Sequence, residues 1–181
     1  MLKIAYCAGH YMGTPGKRVP VYLDQNETRE WVLNDRVARY FEKAGLEYEG
    51  VQLLRTDDPT GQTFVDIPER CAKANAWGAD LYIDMHHNAG IGGGSGGGVV
   101  AYCYPGSEMG RLYRDAIYTA VIAAGGLKGN RSQPLQEKAF DQGLEKSAGV
   151  FQEWGNESTD LGTSLTVRWL RPDLPVPGVE V

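Results

Sequence analysis

Leu81-Tyr82-Ile83-Asp84-Met85 is a nearly continuous apolar run, and His86-His87-Asn88 follows it at once. A run of this length and composition reads as a short strand buried on both faces, at the centre of a sheet covered by helices. Upstream, Asp66 is placed to cap a helix that carries Pro68 in its first turn, where a missing N–H costs nothing. Before that come a strand over Leu46–Leu54 and a helix over Thr28–Lys43. In that helix Leu33, Val37, Tyr40 and Phe41 lie at helical spacing, with Gly45 after them. Leu2–Ala8 is a first strand, followed by a Gly/Pro loop from Gly9 to Val19. Downstream, Gly90–Gly98 holds seven glycines in nine residues, too many for a core element. Val99–Tyr104 resumes as a strand, and Ser107 caps a helix through Arg111–Ala124 that Gly125-Gly126 ends. Gly149–Glu153 is a further short strand candidate.

This alternation predicts a single-domain α/β fold with a mostly parallel twisted sheet flanked by helices, its site at the carboxyl ends of the strands. Residues 1–160 are expected to form that domain. Leu161–Val181 reads as an irregular tail, because Pro172, Pro175 and Pro177 put three of the nine prolines into six residues.

Composition narrows the function. The chain has 181 residues, 42% of them hydrophobic and 23% charged, enough for one core. A formal charge of −5 argues against nucleic acid as a partner, since phosphate binding needs a basic face. No run of 18 apolar residues is present, so membrane insertion is not expected. Met1–Tyr6 lacks the long apolar core of a signal peptide, which points to synthesis in the cytoplasm. Cys7, Cys71 and Cys103 are an odd number at unrelated spacings and read as reduced, buried thiols. Nothing in the sequence specifies an oligomeric state.

All three histidines follow predicted strands: His10 the first, His86 and His87 the third. If those strands are parallel neighbours, the imidazoles converge. Glu30 lies in the first turn of the helix that returns from the His10 loop, on the same side of the sheet. Two imidazoles and a carboxylate with a fourth position open form a ligand set used by catalytic zinc. Each residue also has a plainer reading: a strand-end histidine is commonly structural, and a first-turn glutamate complements the helix dipole. The Gly90–Gly98 loop is not a phosphate loop, because no Lys-Ser/Thr follows and a strand, not a helix, comes next. Its expected role is a mobile loop beside the site. Cys7 paired with a histidine is a conceivable nucleophile, but its place inside an apolar strand favours a core thiol.

Ala8-Gly9-His10, Glu30-Trp31-Val32-Leu33-Asn34 and Met85-His86-His87-Asn88-Ala89, in this order and spacing, resemble the zinc-dependent N-acetylmuramoyl-L-alanine amidases of the amidase-3 family. Leu54-Arg55-Thr56-Asp57 and the segment Arg70–Asn75 add to the match, which covers roughly residues 2–131. The resemblance implies His10, Glu30 and His86 as Zn²⁺ ligands. It selects Glu30 over Glu27 through Asn34 four residues on, and His86 over His87. It also implies a catalytic glutamate at the end of a late strand. Glu153, in Ala148-Gly149-Val150-Phe151-Gln152-Glu153, is favoured over Glu180, which lies one residue from the end. His87 and Asn88 would orient ligands or substrate. The closing amphipathic helix of the family is not evident in Leu161–Val181.

The expected function is a peptidoglycan hydrolase, endolysin or autolysin, that cuts the amide between N-acetylmuramic acid and L-alanine. It would act on the cell wall in an open groove, released by a holin or secreted. Two other readings stay open. One is a zinc carboxypeptidase-like enzyme with Arg55, Arg70 or Arg131 on a terminal carboxylate; the other is a catalytically impaired wall-binding module.

Overall fold

The computed structural model describes residues 1–19, 21–22, 24–88, 99–125, 134–137 and 162–169. Strands β1 (Leu2–Ala8), β2 (Val51–Arg55), β3 (Leu81–Asn88), β4 (Val99–Cys103), β5 (Leu135–Glu137) and β6 (Gly162–Trp169) form one sheet in the order β2-β1-β3-β6-β4-β5. All neighbouring pairs are parallel except β3 with β6, which run antiparallel. Helices α1 (Glu30–Gly45), α2 (Ile67–Trp77) and α3 (Glu108–Gly125) cover the faces.

Alternation along the strands sorts the core into two layers. On one face Ile4, Tyr6 and Ala8 of β1 and Leu81, Ile83 and Met85 of β3 bury against Trp31 and Ala38 of α1, with Met109, Tyr113 and Ile117 of α3 packed alongside. On the other, Ala5, Cys7 and Tyr82 meet Ala74 and Trp77 of α2. Helix α2 starts where its sequence says it should: the Asp66 side chain accepts the Glu69 N–H at 2.8 Å, and Gly78 closes the helix in the left-handed region. Replacing Asp66 by alanine is expected to cost about 1 kcal/mol. In thermal denaturation that is a drop of about 2–4 °C for a domain of this size. The Ser107 side chain likewise accepts the Gly110 N–H at the start of α3.

Three expectations are corrected. The second strand starts at Val51, not Leu46, because Leu46, Glu47 and Tyr48 turn their N–H groups back onto carbonyls of α1 and Gly50 reverses the chain at φ 83°. The third strand does not stop at Met85. Antiparallel pairing with β6 carries it through His86↔Ser164, His87↔Thr163 and Asn88↔Gly162, so the histidines lie inside the strand. Irregular chain from Leu161 onward does not describe Gly162–Trp169, which is β6, hydrogen-bonded on both sides within the sheet. Strand β5 was not anticipated. The Gly90–Gly98 loop, the Gly149–Glu153 strand and the three clustered prolines lie outside the described residues.

Candidate metal centre

Because β1 and β3 are parallel neighbours, with Ala8 opposite Met85, their carboxyl ends emerge side by side. The Gly9 N–H donates to the Met85 carbonyl at 2.9 Å and ties the exit of β1 to β3. Gly9 is required there by space: a Cβ on it would lie 2.1–2.5 Å from Cε1, Nε2 and Nδ1 of His86. His10 then takes a left-handed backbone, φ 67°, uncommon outside glycine. That turn brings its ring to 4.8 Å from the His86 ring, centroid to centroid, at 87°.

Glu30 is the first residue of α1, and its N–H donates to the Lys17 carbonyl. Its carboxylate spans both imidazoles, with Oε2 3.4 Å from His10 Nε2 and Oε1 3.2 Å from His86 Nδ1. Asn34, one turn later and fully buried, donates its amide to the Gly9 carbonyl at 2.9 Å. Its carbonyl oxygen lies 2.8 Å from His87 Nδ1. One helix thus fixes the loop, the carboxylate and His87 together. Each of His10, Glu30 and His86 offers a ligand atom, and these atoms all lie within 4.8 Å of one another. Two imidazole nitrogens and a carboxylate oxygen at this spacing could hold a divalent metal ion.

Around the histidines is a buried polar layer on the α2 face. The Cys7 thiol donates to Asp84 Oδ1 at 3.0 Å and accepts from the Tyr82 hydroxyl at 3.1 Å. Arg70 donates to the carbonyls of Val65 (2.8 Å), Ala8 (3.2 Å) and His10 (3.0 Å). Burial, reinforced by Asp84, pushes the Cys7 thiol well above its ordinary range, in keeping with a core thiol. Burial opposes ionisation of Asp84 too, yet His86 and Arg70 beside it hold its carboxyl below the usual value. All three cysteines are buried free thiols, as the sequence indicates.

Of the residues singled out in the sequence, His10, Glu30 and His86 come together, with His87 and Asn34 around them. Glu153, Glu180 and Arg131 lie outside the described residues. Arg55 is committed inside the fold, paired with Asp35 and Asp57 at 2.8 Å each, and Arg70 is bound to backbone carbonyls. Neither presents its guanidinium to a substrate carboxylate. Asp84 was missed: a lone acid in an apolar strand was a signal, but its meaning depends on the β1–β3 register.

Residues 4–154 match the N-acetylmuramoyl-L-alanine amidase family, amidase-3. The chain belongs to the N-acetylmuramoyl-L-alanine amidase family. Among curated amidases, the sporulation-specific N-acetylmuramoyl-L-alanine amidase of Bacillus subtilis is 37% identical over 81 residues, 43% of this chain and 29% of the relative. The amidase CwlM of Bacillus licheniformis is 37% identical over 79 residues, 42% of this chain and 28% of its own length. This chain therefore covers under a third of either relative. The amidase fold is shared with solved structures. The catalytic domain of CwlV from Paenibacillus polymyxa has a TM-score of 0.63 at 17% identity, covering 92% of this chain and 79% of that one. The amidase of Clostridium difficile has a TM-score of 0.64 at 15% identity, covering 91% and 77%. Among the described residues, no helix of this amidase-family chain is long and apolar enough to cross a membrane.

Proposed function

We propose that this chain is a zinc-dependent N-acetylmuramoyl-L-alanine amidase that acts on peptidoglycan in the cell wall, cutting the amide between N-acetylmuramic acid and the first L-alanine. The observation that carries this reading is the convergence of His10, Glu30 and His86 at the ends of β1, α1 and β3 in a chain of this family. These three residues would hold Zn²⁺. When bound, the metal supplies Lewis acidity at the scissile carbonyl and acidifies water. Glu153 is assigned as general base: it accepts the proton of the attacking water and returns it to the departing L-alanine nitrogen. Asn34 and His87 keep Glu30 and the His10 loop in register. The fold's role in the organism is wall lysis or remodelling, as an endolysin or autolysin. The internal pairing of Arg55 and Arg70 speaks against two of the three arginines on which the carboxypeptidase reading draws, Arg131 being the third.

The test measures bound zinc in the purified chain together with the products released from purified cell walls, identified by mass spectrometry. One equivalent of zinc and stem peptides beginning with a free L-alanine amine are expected. His86→Ala loses both zinc and turnover. Glu153→Gln keeps the zinc, and its hydrolysis falls by about 10²–10⁴-fold. Full activity in Glu153→Gln moves the base to Glu180 or elsewhere. Release of the C-terminal residue of the stem peptide, with the muramoyl–alanine amide intact, selects the carboxypeptidase reading. A parent chain without zinc and without wall cleavage refutes the enzyme assignment.

A further inference from the structure

No chemistry-bearing motif includes Asp84, yet this buried carboxylate, 4% exposed, sits against the ring of His86. Its Oδ2 lies 3.2 Å from Nε2, while Nδ1 of the same ring lies 3.2 Å from Glu30. A neutral imidazole carries one N–H, so its two nitrogens divide the work: one donates a proton and the other presents a lone pair. Glu30 belongs with His10 to the cluster of ligand atoms, and Asp84 faces the opposite edge of the ring. We infer that Asp84 is a positioning residue for the metal site: it accepts the Nε2–H of His86 and so turns the Nδ1 lone pair toward Glu30 and His10. This inference rests on the assignment of His86 as a metal ligand.

Backbone geometry makes the pairing rigid. Asp84 and His86 are two residues apart in β3, so both side chains leave the same face of the sheet. Cys7 stands opposite Asp84 in the β1–β3 register, and its thiol holds Oδ1 at 3.0 Å while His86 takes Oδ2. Cys7 in turn receives the Tyr82 hydroxyl at 3.1 Å and Arg70 at 3.5 Å, and Arg70 also holds the His10 carbonyl at 3.0 Å. One buried network therefore fixes the ring of the second histidine and the backbone turn of the first. Asp84 is not an additional ligand, because the ring nitrogen it meets points away from the one that meets Glu30. A carboxylate behind a metal-binding imidazole fixes its tautomer and raises its basicity, and losing one costs about 10–100-fold in metal affinity.

The test uses the whole chain labelled with ¹⁵N-histidine. Long-range proton–nitrogen correlation identifies the tautomer of each ring, with His86 assigned by difference against His86→Ala. His86 is expected as the Nε2–H tautomer after one equivalent of zinc. In Asp84→Asn that preference is lost, and zinc affinity, measured by chelator competition, weakens by about 10–100-fold. The melting temperature of the metal-free chain serves as the control for folding. An Nδ1–H tautomer in the parent overturns the inference whatever the variant does, so a variant that fails to fold does not block the test. Zinc affinity in folded Asp84→Asn within twofold of the parent also overturns it. A parent that takes up no zinc refutes the proposed metal chemistry, and with it any role of Asp84 toward a metal.

Discussion

Gly9→Ala is expected to lose zinc uptake and nearly all wall hydrolysis while keeping its secondary structure. The added methyl would stand 2.1–2.5 Å from three atoms of the His86 ring, well inside van der Waals contact. The ring has no free direction in which to yield, because Glu30 holds one edge and Asp84 the other. Either His86 swings out and breaks both contacts, or the end of β1 moves away from Met85 and takes His10 with it. Both routes separate the ligand atoms. Losing a metal's several kcal/mol of transition-state stabilisation corresponds to a fall of about 10³-fold or more in rate. Overpacking adds about 1–3 kcal/mol of destabilisation. Gly50→Ala is the matched control. Gly50 has φ 83° with nothing near its would-be Cβ, so only backbone strain is expected and zinc binding stays at the parent level. Parent-level zinc affinity in Gly9→Ala, read by chelator competition, would refute the contact between β1 and His86.

Arg70→Ala carries the largest expected loss of stability. The guanidinium is 4% exposed and serves the Val65, Ala8 and His10 carbonyls and the Cys7 sulfur from one planar group. Deleting it leaves those acceptors and the nearby Asp84 without their cation, and breaking a buried charge arrangement costs about 3–5 kcal/mol. At about 2–4 °C per kcal/mol, melting should fall by roughly 6–20 °C. Arg70→Lys recovers only part of this, since an ammonium cannot reproduce the fork that meets three separated carbonyls. Zinc binding in Arg70→Lys should weaken as well, because the left-handed turn at His10 loses its anchor. A melt of Arg70→Ala within 2 °C of the parent, by calorimetry, would contradict the role given to this residue.

The histidine pair was legible because each histidine directly follows an apolar run, and the parallel pairing of β1 and β3 turns that adjacency in sequence into adjacency in space. Glu30 was legible through the family resemblance, which pairs it with Asn34; four apart on one helix, the two share a side, where Asn34 meets Gly9 and His87. Strand β6 was not. Leu165, Val167 and Trp169 do alternate with polar residues, but the prolines that follow drew the whole segment into an irregular reading. No local pattern states that a late segment inserts between β3 and β4. The start of β2 was misplaced because Leu46 and Tyr48 look strand-like, whereas both are exposed residues of the turn that ends α1. Asp84 needed tertiary register: only when Cys7 and Asp84 stand opposite each other does a charged residue in an apolar strand acquire partners.

The place of β6 also governs how this chain is made. Strands β2, β1 and β3 form one block and β4 with β5 another, and among the described strands β6 alone hydrogen-bonds to both. As the polypeptide leaves the ribosome, every residue of the candidate metal centre emerges well before residues 162–169 can bridge the two blocks. Until then the edge of β3 that carries Asp84 and His86 is an open template for another nascent chain. Closing the sheet joins segments some eighty residues apart, a nonlocal pairing of the kind that slows folding. Yield on expression should therefore depend on how quickly β6 arrives.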